Sequence, residues 1–496
     1  MTSTSRLSAS GVDRLRAGSA VALALICGAQ FVLQLDFSIV TVALPSIERD
    51  LRLSSSALQW LVTGYALTFG SLLLVGGRAA DLLGRRRVLS MGLAGFALAS
   101  LLAGLAQSAA MLIAARIIQG SAGALVAPAA LSLLTATYPE GPERNRALGI
   151  WQAATAAGAT VGIVVGGLLT QYLGWRAIFL INPPLIAVML TMVPRFLPAV
   201  RPDKASGLDV AGATLSVLSL AGLILGLSNG ESHGFAAAIT WGPILLGLLL
   251  AIVFVVVQRR GRDPMLPLSL FASPTRRAAL EAMVLTGAVL AGYVYFTSLY
   301  LQHVRGFTPL LTGLALLPST LTVVCTSTLL ARRLLARVPV KSVLILGLVC
   351  IAAGQAYLSQ ITPTASYGAA IAPGLILTAL GIGLALPSAS VAITAGVSSS
   401  EQGLAGGLFV TGQQTGAALG LASLVAISVA ETSHDHSLTA GYRLAFLVGS
   451  GLAIAAAAAV AAQLSRRTSQ GELHRQAASA GGQPPHPIAQ STLRHN

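Results

Sequence analysis

The sequence predicts an all-α polytopic membrane protein, and three observations carry that reading. Hydrophobic residues make up 54% of the 496 positions and charged residues only 9%, a balance foreign to soluble domains. Fourteen apolar runs follow one another, each about the length of a bilayer crossing. They are too long for barrel strands, and in lipid a helix satisfies its own backbone. The third observation is an internal repeat. Gly149, Gly158 and Gly162 recur as Gly407, Gly416 and Gly420 at an offset of 258, and Pro128-AALSLLTA aligns with Pro387-SASVAITA at 259.

The spans are placed near 18–44, 57–77, 88–108, 111–136, 147–171, 178–197, 209–229, 238–258, 278–301, 309–330, 341–359, 368–396, 403–429 and 441–463. The repeat pairs the fifth span with the thirteenth and the fourth with the twelfth. The chain therefore divides into a cytoplasmic N-terminus (1–17), a first six-helix half (18–200), an inserted pair (201–262), a second six-helix half (263–465) and a disordered cytoplasmic tail (466–496).

The first span holds one carboxylate, Asp36, about eight residues or roughly 12 Å from its outer end. An acid at that depth is costly and seeks a polar interior and a partner. Gln30 and Gln34, spaced i and i+4, give this helix a polar side. Between spans two and three lies Gly77-Arg78-Ala79-Ala80-Asp81-Leu82-Leu83-Gly84-Arg85-Arg86-Arg87, where glycines permit a tight turn and Asp81 can pair with an arginine or a helix N-terminus. Span four carries the one arginine deep inside a span, Arg116, at a depth similar to Asp36. Span five presents Gly158, Gly162, Gly166 and Gly167 as a close-packing surface. By the repeat offsets, Asp36 and Arg116 lie opposite Gly292 or its neighbours and Leu375, so charge chemistry belongs to the first half.

Orientation follows from the basic residues. With the N-terminus inside, 25 of the 31 lie in cytoplasmic segments and 5 outside, which puts both termini in the cytoplasm. The formal charge of +15 thus reflects membrane topology, and nucleic acid is not an expected partner. Neither Lys204 nor Lys341 follows a glycine, so no phosphate loop of an ATP-driven pump exists. No enzymatic constellation is found, and Cys27, Cys325 and Cys350 read as apolar filler.

Several stretches carry a family resemblance. Gly77 to Arg86 resembles the G-x-L-A-D-x-x-G-R-R loop of the major facilitator superfamily, with Ala79 in place of the leucine. Arg116-Ile117-Ile118-Gln119-Gly120-Ser121-Ala122-Gly123 resembles its R-x-x-Q-G-x-x-G motif, which is tied to proton coupling. The glycines of span five resemble the antiporter motif of proton-coupled exporters, with Ile163 where a proline is usual. Trp175-Arg176-Ala177-Ile178-Phe179-Leu180-Ile181-Asn182-Pro183 is similar to the W-R-x-x-F-x-I-N-x-P stretch of the fourteen-span drug:proton antiporters. The resemblance covers about residues 30–463.

The resemblance implies a major facilitator fold and a proton-coupled multidrug or antibiotic exporter in the inner (cytoplasmic) membrane, working by alternating access. A proton gradient would drive it, without a cofactor or a metal. Asp36 and Arg116 would couple protons. Gly77, Asp81, Gly84, Arg85 and Arg86 would form a gating loop. Gln30, Gln34, Trp151, Gln152, Tyr293, Tyr295, Gln413 and Gln414 would line a substrate cavity. Spans two, ten and thirteen lack a central acid, so neutral or monocationic hydrophobic compounds are expected. The expected partners are such a drug, protons and the lipid bilayer, with the protein a monomer. Proton-coupled uptake or export of one metabolite, or a membrane sensor without transport, are the alternatives.

Overall fold

A computed structural model describes residues 9–138, 142–198, 209–234, 237–261, 273–394, 402–435 and 437–480. The described residues form fourteen long helical segments and no strand. The first six are α1 (Ala9–Leu51), α2 (Ser55–Leu83), α3 (Arg85–Gly104), α4 (Ala109–Thr137), α5 (Pro142–Tyr172) and α6 (Ala177–Phe196). They are followed by α7 (Val210–His233) and α8 (Ala238–Arg260). The rest are α9 (Pro274–Val304), α10 (Pro309–Leu335), α11 (Val340–Leu358), α12 (Tyr367–Ile393), α13 (Gln402–Asp435) and α14 (Leu438–Ala480). By length and composition thirteen can cross a membrane; the other, α2, runs 29 residues.

Two boundaries differ from the sequence reading. α1 begins at Ala9, and α14 continues to Ala480. The polar stretch from Arg466 is therefore helical as far as Ala480, because a helix already nucleated in an apolar span propagates readily into polar sequence. Residues 481–496 lie outside the described residues.

Helix ends carry local signals. Ser54, Ser108 and Thr308 cap α2, α4 and α10 with their side-chain oxygens, and Asp209 caps α7. Gly84 joins α2 to α3 at φ 95°, a backbone that side chains other than glycine rarely adopt.

The two halves repeat one packing scheme. In the first, α1 packs on α5, α4 on α2 and α3, and α6 on α3 and α1. In the second, α9 packs on α13, α12 on α10 and α11, and α14 on α11 and α9. The inserted pair α7–α8 packs on itself and, through α7, against α2 and α13. Glycines let the backbones touch. A Cβ at Gly158, Gly162 or Gly166 would stand 2.6–2.8 Å from the carbonyl oxygens of Phe31, Leu35 and Ile39, one stripe along α1. In the second half, Gly416 and Gly420 meet Val284 and Ala288 of α9.

This packing corrects the register between the halves. Gly158 and Gly416 are 258 apart, but their partners Phe31 and Val284 are 253 apart. Buried Val289, not Gly292, therefore matches Asp36. The connections between helices differ in length, so each helix pair carries its own offset.

Successive helices run antiparallel. The α2–α3, α4–α5 and α10–α11 junctions share one end, here called the basic end. The α1–α2, α5–α6 and α9–α10 junctions share the other, the far end. The described hydrogen bonds between the halves lie in the far half of the molecule or near its middle. Ser298 Oγ donates to Thr41 O at 2.9 Å, Gln302 Nε2 to Val42 O at 2.9 Å, and Leu310 N to Gln171 Oε1 at 3.3 Å. Thr411 Oγ1 donates to Gly70 O near mid-span. A Cβ at Gly167 would stand 2.7 Å from Pro309 O and one at Gly313 would stand 2.7 Å from Ile163 O, so neither position has room for a side chain. Glu48 and His303 pair at 3.2 Å across the same seam. At the basic end, the described bonds stay within one half: Arg85 to Ser132 O, Arg86 to Pro194 O and Leu197 O, Arg276 to Ile393 O.

The described contacts between the halves form a seal at the far end, and it rests on few polar contacts. Gln302→Leu combined with Ser298→Ala should weaken it, because it strips two buried carbonyls of their donors. A cysteine placed at Thr41, in a background lacking Cys27, Cys325 and Cys350, should then react at least several-fold faster with a membrane-impermeant maleimide. Unchanged labelling would show that these bonds do not hold the seal.

Candidate functional site

Asp36 points into the first half and is fully buried, as is Arg116 from α4. Arg116 Nη1 donates to Asp36 Oδ2 at 2.6 Å. The pair is enclosed by a polar shell. Gln119, one turn after Arg116, donates from Nε2 to Asp36 Oδ1 at 2.7 Å and accepts from Arg116 Nη1 at 2.8 Å. Asn182 of α6 donates from Nδ2 to the same Oδ1 at 2.7 Å. Ser100 of α3 accepts from both amides and donates to Phe179 O. Arg116 Nε donates to Leu61 O of α2, and its guanidinium lies over the Tyr65 ring, 4.3 Å from the centroid.

Eight positions on α1, α2, α3, α4 and α6 thus build one closed network. A buried ion pair survives only when its remaining donors and acceptors are met. Here the carboxylate takes three charge-assisted or amide donors, and the guanidinium takes a carbonyl, an amide oxygen and an aromatic face. The network holds Asp36 away from any cavity between the halves, so a substrate cannot rest directly on this carboxylate while the shell is closed.

The far end of the same half is stapled separately. Asp50 accepts from Trp175 Nε1 at 2.9 Å and from Arg176 Nη1 at 2.7 Å, and Arg176 stacks on Trp175. Trp175 packs edge-on against Phe179, which places the start of α6 and hence Asn182.

Residues 26–421 match the Major Facilitator Superfamily. The chain is 37% identical over 480 residues to the cephamycin export protein CmcT of Amycolatopsis lactamdurans, covering 96% of this chain and 99% of that one. It is 38% identical over 414 residues to the puromycin resistance protein pur8 of Streptomyces alboniger, covering 83% and 82%. The chain belongs to the major facilitator superfamily, in its drug-efflux family. Solved structures agree on the fold. A bacterial homologue of the lysosomal transporter Spinster matches with a TM-score of 0.65 at 18% identity, over 91% of this chain and 97% of that one. The peptide transporter POT in complex with sulfate matches with 0.64 at 15%, over 89% and 95%.

Within this major facilitator fold the other anticipated residues separate into groups. Gly158, Gly162 and Gly166 pack α5 on α1, whereas Gly167 packs across the halves on α10. Around the loop, Gly77 faces Pro128, Gly84 makes the turn, and Arg85 and Arg86 bind carbonyls of α4 and of the α6 end. The side chain of Asp81 lies outside the described residues, as does that of Gln152.

Gln30, Gln34, Trp151, Gln413 and Gln414 are half-buried. Gln30 Oε1 and Trp151 Nε1 are enclosed without a hydrogen-bond partner, so each offers a polar contact. Gln414 sits across the halves, its Cβ against Gly70. The two tyrosines depart from the expectation of an open cavity lining. Tyr293 is buried and donates to Leu375 O, and Tyr295 is buried edge-on to Phe296. Both belong to a buried apolar cluster that draws residues from both halves, because their rings pack against neighbouring apolar side chains. Sequence reasoning missed Gln119, Asn182 and Ser100 as members of the site. The first two stand inside the motif stretches and were legible there; Ser100 carries no sequence signal.

Proposed function

We infer that this protein exports hydrophobic antibiotic-like compounds, neutral or monocationic, in exchange for protons across the cytoplasmic membrane. The observation that carries the reading is the sealed Asp36–Arg116–Gln119–Asn182 network. The two relatives named for cephamycin export and puromycin resistance support the substrate class.

In this mechanism the proton acts through α1. A protonated Asp36 gives up its charge-assisted bond to Arg116, which keeps Gln119 Oε1 and Leu61 O as partners. α1 is then free to shift against α4 and α6. The same helix carries Thr41, Val42 and Glu48 to the seam with α9, so its movement reaches the far seal directly. Substrate binds between the halves, with Gln30, Gln34, Trp151, Gln413 and Gln414 as polar contacts. We assign the basic end to the cytoplasm with both termini there, which makes this an inward-facing form of a monomer. No cofactor takes part; the gradient is the energy source. In this mechanism a cationic drug does not pair directly with Asp36, since three donors already occupy that carboxylate.

The test is a susceptibility panel in an efflux-deficient host, with puromycin and a cephamycin among the compounds. Expression should raise the inhibitory concentration of at least one lipophilic compound several-fold, and an uncoupler should remove the protection. Protection that survives collapse of the proton gradient would overturn proton coupling. Uptake that depends on the protein would overturn export.

A further inference from the structure

The second half contains a cavity at its basic end. It measures about 190 Å³ and lies between the basic ends of α9, α11, α12 and α14, lined by Ala278, Ala279, Lys341, Leu344, Ala392 and Val460 among others. The repeat explains it. Gly92 of α3 packs on Ala122 and Val126, and Gly347 of α11 packs on Gly381 and Ala385, which fixes offsets of 255 for α3 with α11 and 259 for α4 with α12. With 253 for α1 with α9, Ala278, Ala279 and Ala392 match Leu25, Ile26 and Leu133. Those three first-half residues are buried in one apolar core beside Leu89 and Val193. Three alanines therefore stand where the other copy has leucine, isoleucine and leucine, and the missing side chains open the cavity.

The charged side chain at its edge also has a counterpart. Lys341 matches Arg86, and both reach backbone carbonyls on the last helix of their half: Ala461 O at 3.4 Å for Lys341, Pro194 O at 3.3 Å for Arg86. Arg277, Arg332, Arg333 and Arg337 are exposed at the same end, while Glu281 of α9 is engaged by Gln463 of α14. An apolar pocket with an ammonium in its lining and four exposed guanidiniums at the same end of the molecule matches an amphiphile with one apolar chain and an anionic head. We propose that this cavity is a binding site for an anionic phospholipid of the leaflet at the basic end. An acyl chain lies against Ala278, Ala279 and Ala392, and the phosphate lies beside Lys341.

The test uses the purified full-length chain in detergent, with dioleoyl phosphatidylglycerol or dioleoyl phosphatidylcholine added at equal mole ratio. Thermal unfolding and native mass spectrometry are the readouts. Phosphatidylglycerol should raise the unfolding temperature by about 3 °C or more and leave one retained lipid, with a smaller effect from phosphatidylcholine. Ala392→Leu restores the first half's side chain and should abolish both effects without lowering the lipid-free unfolding temperature. Lys341→Gln, which leaves the apolar packing alone, should equalise the two lipids. Equal stabilisation of the unmodified chain by both lipids would overturn the proposal. So would retention of phosphatidylglycerol by Ala392→Leu or, should that variant fail to fold, an undiminished preference for phosphatidylglycerol in Lys341→Gln. A transported antibiotic that competes with the lipid would assign the cavity to the transport path instead.

Discussion

Asp36→Asn is expected to lower export driven by an imposed pH gradient by about 100-fold, within the ~5–150-fold range of ordinary coupling free energies. Downhill exchange of substrate across the same vesicles should persist. The substitution keeps the size of the side chain and removes its charge and titration. Arg116 then stays buried against Gln119 Oε1, Leu61 O and the Tyr65 ring, without a carboxylate. Losing one partner of a buried pair is destabilising, so folding must be checked by thermal unfolding in parallel. Asn182→Ala is the companion variant. It removes one donor to Asp36 Oδ1 and leaves the acid and the arginine in place. It should weaken gradient-driven export by less, roughly 10-fold, at the lower part of the same coupling range. Asp36→Asn vesicles that pump at the original rate would remove this network from the energy-coupling step.

Gly162→Leu should have the second large effect, on the fold itself. A Cβ at that position would stand 2.7 Å from Leu35 O and 3.0 Å from Ser38 Cβ, and the first of these is backbone that cannot rotate away. Overpacking of this kind costs about 3 kcal/mol, the upper part of its usual range. The displaced segment of α1 is the one that carries Asp36. Yield of monodisperse protein should fall sharply, with the unfolding temperature lowered by about 5 °C or more. Gly162→Ala should lie between. Gly167→Leu provides the contrast: it strains the seam with Pro309 and Leu310 instead, so it should shift the balance of the two end seals more than it harms the first half. A fully stable, active Gly162→Leu would mean that α1 and α5 do not pack as closely as described here.

The distribution of the site over the sequence explains what could be read in advance. Asp36 and Arg116 stood out because a lone charge in an apolar helix needs a reason. Their similar depths in spans one and four allowed them to meet, and the structure shows that they do. Gln119 and Asn182 were present in recognisable stretches, yet an amide shows no sign in sequence of which carboxylate it serves. Ser100 is one small polar residue among many. Tyr293 and Tyr295 were read as cavity lining because aromatic rings near a midplane serve either purpose, and only packing separates the two.

By itself the sequence determined the number of crossings, the duplication, the asymmetry of basic residues and the presence of one acid and one arginine at matching depths. These are properties of composition, length and spacing, which a bilayer constrains strongly. Tertiary structure decided the rest. It brought Asn182, 146 positions away, onto Asp36 and sealed the carboxylate from the space between the halves. It also set a different offset for each helix pair of the repeat. The reason is that connections of unequal length and backbone contacts at glycines fix the register of one helix on another, and neither is visible in the order of residues along a single span.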